Sequence, residues 1–385
     1  MPTRDDPVRL ALGGLVALAA AMGVGRFVYT PLLPMMAADL GLSGSTAGLV
    51  ASANFLGYVA GAFAAGYPGL KGSRRAWMMG ALAISASTTG LMGLAPSLAP
   101  WLVLRFAGGV ASAFVLVFAS TLVLDRLRRL QRPGLSTVHF AGVGTGIAVS
   151  AAFVSAGAAA GLGWRGLWMA CGVISVLALG AVWRLVPDAE GGVAPAAVTA
   201  GPRRPGALAM SVAYGLFGFG YVVTATFLVL IVRGTPAVSA LEPMIWLVVG
   251  VAAIPSVALW TALARRTGLA LAFAVACVVE AVGVGSSVLW PTAPGIVLAA
   301  ALLGGTFMGL TALGIGAARA LAVGDPRTLT AVMTASFGIG QMIGPLVGGF
   351  LSDRSGSFVQ ASLVAAAALV GAAGLALHVR RVAAI

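Results

Sequence analysis

Charge is scarce in this chain, and acidic charge scarcest of all. Only 9% of its 385 residues are charged, 10 of them Asp or Glu against 23 Lys or Arg. A soluble domain carries about 25% charged residues, so a water-soluble globular protein is excluded. Histidine and cysteine number two each. So few ligands rule out most metal cages. Cys171 and Cys277, each inside an apolar stretch, read as small core residues rather than a disulfide. The chain has no H-E-x-x-H, no G-x-S-x-G and no P-loop, so neither enzymatic chemistry nor an ATP-driven pump is expected. Its 13 methionines show no M-x-x-x-M spacing that would suit Cu(I). No cofactor and no metal is implied.

What is abundant is apolar. Hydrophobic residues make up 60% of the chain and the mean hydropathy is +1.03. The 54 glycines sit mostly inside apolar runs, where they let helix backbones approach closely. A polytopic membrane protein follows. A span needs about 20 apolar residues. Twelve are predicted, at about 9–35, 45–68, 75–95, 98–124, 135–160, 164–186, 207–232, 240–263, 268–290, 294–321, 328–352 and 357–379. They divide the chain into an N-terminal six-helix half, 1–186, a polar Pro/Gly/Ala-rich linker, 187–206, and a C-terminal six-helix half, 207–385.

The net charge of +13 suggests a nucleic-acid partner by its size, but its placement argues otherwise. Eighteen basic residues fall at one set of span ends. Arg165, Arg233 and Arg354 fall at the other, and Arg26 and Arg105 lie inside spans. This is the positive-inside pattern. It accounts for the basicity without nucleic acid and puts both termini in the cytoplasm of a cell with an inner membrane.

The chain also repeats itself. Phe140–Phe153, FAGVGTGIAVSAAF, matches Phe337–Phe350, FGIGQMIGPLVGGF, at an offset of 197. Gly23-Val24-Gly25 matches Gly218-Phe219-Gly220 at 195, and Gly108-Gly109 matches Gly304-Gly305 at 196. A nearly constant offset across the chain marks two similar halves, and such proteins usually work at the seam between repeats.

Three motif sites resemble the major facilitator superfamily. The loop Gly66–Arg75, GYPGLKGSRR, is a degenerate form of that family's G-x-L-x-D-R-x-G-R-R signature, without its acidic residue. Arg105-Phe106-Ala107-Gly108-Gly109 is similar to its R-x-x-x-G motif. Gly340-x-x-x-Gly344-Pro345-x-x-Gly348-Gly349 resembles the bend motif of its antiporters, although there the motif belongs to the fifth helix and here to the eleventh span. Gly25–Pro34, GRFVYTPLLP, looks like the YbfB/YjiJ-type branch. The resemblance implies an all-α membrane protein of twelve helices in two six-helix bundles, both termini cytoplasmic. It further implies alternating access of a rocker-switch type, a monomer, and first, fourth, seventh and tenth spans lining a central cavity.

Intramembrane charge costs roughly 2.5–3.5 kcal/mol at a helix centre, so each case suggests a role. Arg26 is the candidate anchor for a carboxylate or phosphate, with Tyr29 and Thr30 one turn on. Arg105 is a second substrate or proton-handling candidate. Asn54 and Tyr58 share a face of the second span. Tyr214, Phe217, Tyr221 and Thr224 form a stripe on the seventh, and Gln341 lies among the glycines of the eleventh. Glu280, Glu242 and His139 are the proton-coupling candidates. Gly340, Gly344, Pro345, Gly348, Gly349, Gly108 and Gly109 are candidate bend or gating residues. The leading expectation is a transporter of a small anionic or zwitterionic organic solute across the inner membrane, with protons as a possible coupling ion. The rivals are an exporter of amphipathic, often cationic compounds and a non-transporting receptor or scaffold.

Overall fold

A computed structural model describes residues 6–67, 69–187, 204–323, 327–383 and 385. Among them there is no β-strand. Most of the predicted linker 187–206, namely 188–203, lies outside the described residues.

The first predicted span is not one regular helix. α1 (Pro7–Leu18) starts with Pro7 at its first position, and Asp6 caps it by accepting from the Val8 N–H at 2.9 Å. The backbone then widens into π-helical turns over Ala19–Val24 and loses regular helix over residues 25–28. It resumes as α2 (Tyr29–Leu40), which carries Pro34 inside it. π-turns are rare and cluster at functional sites.

The remaining helices follow the predicted spans. They are α3 (Gly44–Ala65), α4 (Arg74–Leu91), α5 (Leu98–Arg129), α6 (Ser136–Ala159) and α7 (Trp164–Leu185). After the linker come α8 (Ala207–Arg233), α9 (Glu242–Ala253), α10 (Ser256–Thr267), α11 (Leu269–Leu289), α12 (Ala293–Leu321), α13 (Arg327–Ser355) and α14 (Val359–Ala383). Among the described residues ten helices are long and apolar enough to cross a membrane. The α9–α10 pair, bent by 41° at its break next to Pro255, makes an eleventh. α4 is not among them: it has 18 residues, including two arginines, two serines and two threonines. Length and composition therefore support ten or eleven spans among the described residues.

The chain packs as two units. One holds Met1–Met35 and Ala53–Ala197; the other holds Val198–Ile385 together with Met36–Ser52, the hairpin formed by the end of α2 and the start of α3. Within each unit the repeated glycines do the same work. In the first, a Cβ on Gly23 would lie 2.4 Å from the Gly146 backbone, and one on Gly142 would lie 2.2 Å from the Leu15 carbonyl. In the second, a Cβ on Gly218 would lie 2.4 Å from the Phe337 carbonyl, and one on Gly340 would lie 2.1 Å from that of Gly215. The first and fifth spans of one half and their counterparts in the other, α8 and α13, thus touch backbone to backbone. The pair Gly108-Gly109 and its repeat differ in which member makes the contact: Gly109 abuts the Asn54 carbonyl of α3, whereas in the repeat it is Gly304, the counterpart of Gly108, that abuts the Val249 carbonyl of α9.

Arginine also fastens the ends. Arg75 donates to the Val186 and Trp183 carbonyls, both at 2.8 Å, and stacks on the Trp183 ring. Arg9 donates to the Arg184 carbonyl. Together they satisfy the carbonyls left open at the end of α7. Arg74 meets Asp125 of α5 at 3.7 Å, so a carboxylate from that helix faces the signature loop that lacks its own.

Candidate functional site

In the first unit the polar residues of the spans converge on the break in the first span. Arg26 sits in that break and is only 3% exposed. Its guanidinium lies 4.3 Å from the Tyr58 ring centroid, 4.6 Å from Phe55 and 5.5 Å from Phe27, and it hydrogen-bonds Tyr58. Rings at such distances hold a cation through their quadrupole and exclude water.

Arg105, also buried, reaches across from α5. It donates to the Gly25 carbonyl at 3.3 Å and to the Arg26 carbonyl at 3.2 Å, and its guanidinium lies 5.0 Å from the Tyr29 ring. These are carbonyls of the broken segment, so Arg105 supplies donors where the helical ladder is interrupted. Asn54 continues the chain of contacts by donating to the Arg105 backbone carbonyl at 2.9 Å, while its own Oδ1 is buried without a partner. Gly57 and Gly109 let α3 and α5 approach so closely that a Cβ on either would lie 2.0 Å from a backbone oxygen. Arg26, Tyr29, Asn54, Tyr58 and Arg105, each singled out from the sequence, therefore form one cluster. Thr30 is buried on α2 beside it. Sequence reasoning missed Phe27 and Phe55. Both look like ordinary core aromatics until the fold sets them against Arg26.

In the second unit the α8 stripe is an aromatic stack. Tyr221 lies nearly parallel to Phe307 (8°, 5.8 Å) and to Phe337 (2°, 5.9 Å), and Phe217 and Tyr214 continue the series. The Tyr214 hydroxyl donates to the Thr311 carbonyl at 3.1 Å. The Gln341 amide donates to the Tyr221 hydroxyl. One turn on from Tyr221, the Thr224 hydroxyl is buried without a partner.

The proton-coupling candidates are scattered. Glu242 pairs with Arg233 at 2.8 Å at the junction of α8 and α9. His139 is buried where α6 meets α1: its ring occupies the space a Cβ on Gly14 would fill, and its Nε2 lies 3.1 Å from the Ser120 hydroxyl. Glu280 is wholly buried in α11, with the Thr306 hydroxyl of α12 beside its carboxyl. The Thr306 hydroxyl is committed to the Leu302 carbonyl at 2.6 Å. Among the described residues no group of three or more His, Cys, Asp or Glu could hold a metal ion.

The Gly340–Gly349 segment runs as helix through Pro345. Its glycines serve two faces. Gly340, Gly344 and Gly348 lie against α8, while Gly349 and the Pro345 carbonyl lie against Gly44 and Gly48 of α3.

Ten or more helices of this length and hydropathy define a multi-pass, all-helical membrane protein. A crystal structure of a mutant of the nucleoside transporter NupG superposes with a TM-score of 0.74 at 15% identity, covering 96% of this chain and 99% of that one. A bacterial homologue of the human lysosomal transporter Spinster, inward-facing and unoccupied, gives 0.67 at 16% identity over 100% and 96% of the two chains. At such identity the likeness concerns the fold alone. The Bacillus subtilis (strain 168) protein described as uncharacterized MFS-type transporter YceJ is 38% identical over 94 residues, which is 24% of this chain and 24% of that protein's length. Residues 18–377 match the family described as uncharacterised MFS-type transporter YbfB. The chain belongs to that family of transporters, which are not enzymes.

Proposed function

We propose that this protein is a secondary active transporter of the inner membrane. It moves a small anionic or zwitterionic organic solute by rocker-switch alternating access between its two six-helix halves, 1–186 and 207–385, and acts as a monomer. The observation that carries the reading is Arg26, a buried guanidinium held against three rings in a helix break rather than at a membrane surface. A cation kept there at the cost of burial suits recognition of a carboxylate or phosphate by paired hydrogen bonds. Tyr58 lies against it, and Tyr29 and Asn54, which meet Arg105, complete the group of candidate solute contacts. Arg105 supports it through the backbone. The stripe of Tyr214, Phe217, Tyr221 and Thr224 with Gln341 is the second group of candidate solute contacts.

Protons are the coupling ion in this reading, and Glu280 is the group that carries them. Glu242 has an arginine partner and His139 a serine, whereas Glu280 is a wholly buried carboxyl beside the Thr306 hydroxyl.

The test is thermal stability of the purified protein against a panel of carboxylates, phosphates, amines and hydrophobic cations. A solute that binds the folded state raises Tm by mass action. A shift with anions that Arg26→Ala abolishes supports the assignment and selects a solute for liposome uptake. In that assay Glu280→Gln should lose uptake driven by a pH gradient while retaining exchange. A shift only with bulky cations would replace this reading with that of an exporter.

A further inference from the structure

Beneath one surface cavity of the second unit, three helices carry polar side chains where apolar ones would pack. The cavity, of about 360 Å³, lies at the end of α8, α11 and α13 that the charge bias puts outside. Gly234, Gly356 and Ser357 at its rim are exposed, whereas Ile231 and Ser287 below them are buried. Phe358 and Val359, where α14 starts, also line it.

Helix periodicity carries that lining inward. Residues two turns apart, at i and i+7, share a face and differ in depth by about 10 Å. On α8, Thr224 lies two turns below Ile231; on α11, Glu280 lies two turns below Ser287. On α14, which runs the other way, Ser362 lies one turn below Phe358 and Val359. Thr224, Glu280 and Ser362 are all buried.

Side-chain contacts fix the register of α8 against α14. Phe227 meets Phe358 with ring centroids 4.7 Å apart, and two turns deeper a Cβ on Gly220 would lie 2.8 Å from the Ala365 carbonyl. Thr224 and Ser362 occupy the layer between these contacts, one from each helix. Neither hydroxyl has a hydrogen-bond partner among the described residues. A buried hydroxyl left unpaired is costly, and two in one layer are a setting in which an ordered water finds partners. α14 packs against α11 as well. There the Ser287 hydroxyl donates to the Val284 carbonyl at 2.6 Å and keeps its lone pairs for a further donor.

Few charges compete around Glu280. Cys277 lies one turn away on α11, and α8 brings Tyr214 and Tyr221. α10, α12 and α14 bring no titratable group until Arg265, Arg319 and His378 near their inner ends. At the cavity, Arg233 is held by Glu242 at 2.8 Å, and Asp353 accepts from the Gly44 and Ser45 amides at 2.7 and 2.8 Å.

We propose that this cavity is a proton entrance: water fills it and continues past Ser287, Ser362 and Thr224 to the Glu280 carboxyl. The inference rests on the reading above in which Glu280 carries the coupling proton, and adds the route by which that proton arrives. A proton taken up at the cavity passes one oxygen at a time along the water file and ends on the Glu280 carboxylate; release runs in reverse. The hydroxyls are positioning residues that hold the water and keep no net proton.

The test follows the Glu280 carboxyl by infrared spectroscopy of the full chain in lipid nanodiscs. The C=O band of a protonated carboxyl moves on transfer to D2O, and the band that Glu280→Gln removes belongs to Glu280. Ser362→Val and Ser362→Thr both introduce a β-branched side chain and differ in the hydroxyl, so a packing defect is common to the two. Ser362→Val should slow deuteration of the band roughly 5- to 100-fold, the loss of one hydrogen bond along the route read as a rate. Ser362→Thr should stay near the parent rate. Ser287→Val and Ser287→Thr should repeat the pattern, and Ser286→Val, one position along α11 and outside the cavity lining, should change nothing. Equal rates for valine and threonine at both positions would overturn the route, as would a spectrum from which Glu280→Gln removes no band. Uptake separates the route from the coupling role. Hydroxyl-dependent exchange in a protein whose Glu280→Gln variant keeps pH-driven uptake would leave the route standing and count against coupling. Equal exchange rates with uptake lost in Glu280→Gln would do the reverse.

Discussion

At the scale of single residues, the two intramembrane arginines have separate jobs. Arg26 is enclosed by side chains and Arg105 is spent on backbone. Arg105→Ala leaves the Gly25 and Arg26 carbonyls without their donors and should cost about 1–3 kcal/mol of stability. Arg105→Lys, a single ammonium in place of a planar fork, should recover only part of it. Thermal unfolding in detergent measures both, and an unchanged Tm for the alanine variant would refute the backbone role. The Arg233–Glu242 pair lies at a helix junction with side chains 36% and 20% exposed. Glu242→Gln should therefore change stability by about 1 kcal/mol or less, and a larger loss would mean the pair is a structural lock. The sequence marked Arg26, Arg105, Asn54 and Tyr58 because polar groups in apolar spans are conspicuous. It gave no sign that Arg105 faces carbonyls, because that depends on where the first span breaks.

At the scale of elements, the glycines divide into those that touch backbone and those that do not. Gly340 meets Gly215 across the α8–α13 contact, whereas a Cβ on Gly305 would meet nothing within 4 Å. Gly305→Ala should thus be neutral or stabilising by about 0.5–1 kcal/mol, since glycine weakens a helix interior. Gly340→Ala should destabilise by about 1–3 kcal/mol, the usual range for overpacking. Melting curves of the two variants decide this, and equal shifts would argue against backbone contact at Gly340. Both glycines lie in matched repeat segments, so the sequence predicted that these helices approach something closely but not which glycine bears the contact. The count of spans was legible in the same partial way. α4 carries Arg74, Arg75, Ser85, Ser87, Thr88 and Thr89, and a helix packed among other helices can keep polar residues that a lipid-facing one cannot.

At the scale of the whole molecule, orientation is the property most open to test. A fluorescent protein fused to the C-terminus should fluoresce in the producing cell, and a periplasmic reporter at the same position should be inactive. The reverse result would overturn the topology read from the charge bias.

The sequence alone determined that the chain lives in a membrane and which family it belongs to, and its repeat offset suggested two similar halves. Hydropathy, charge bias and repeat offset are one-dimensional quantities, readable without knowing what touches what. Only the tertiary structure decided how the singled-out residues combine: Arg26 with Phe27, Phe55 and Tyr58, Arg105 with the carbonyls of the first span, and Asp353 with the start of α3, 309 positions away from Gly44. Such contacts depend on helix rotation and crossing, which are set by backbone approach at a few glycines, and no local pattern encodes the partner found there.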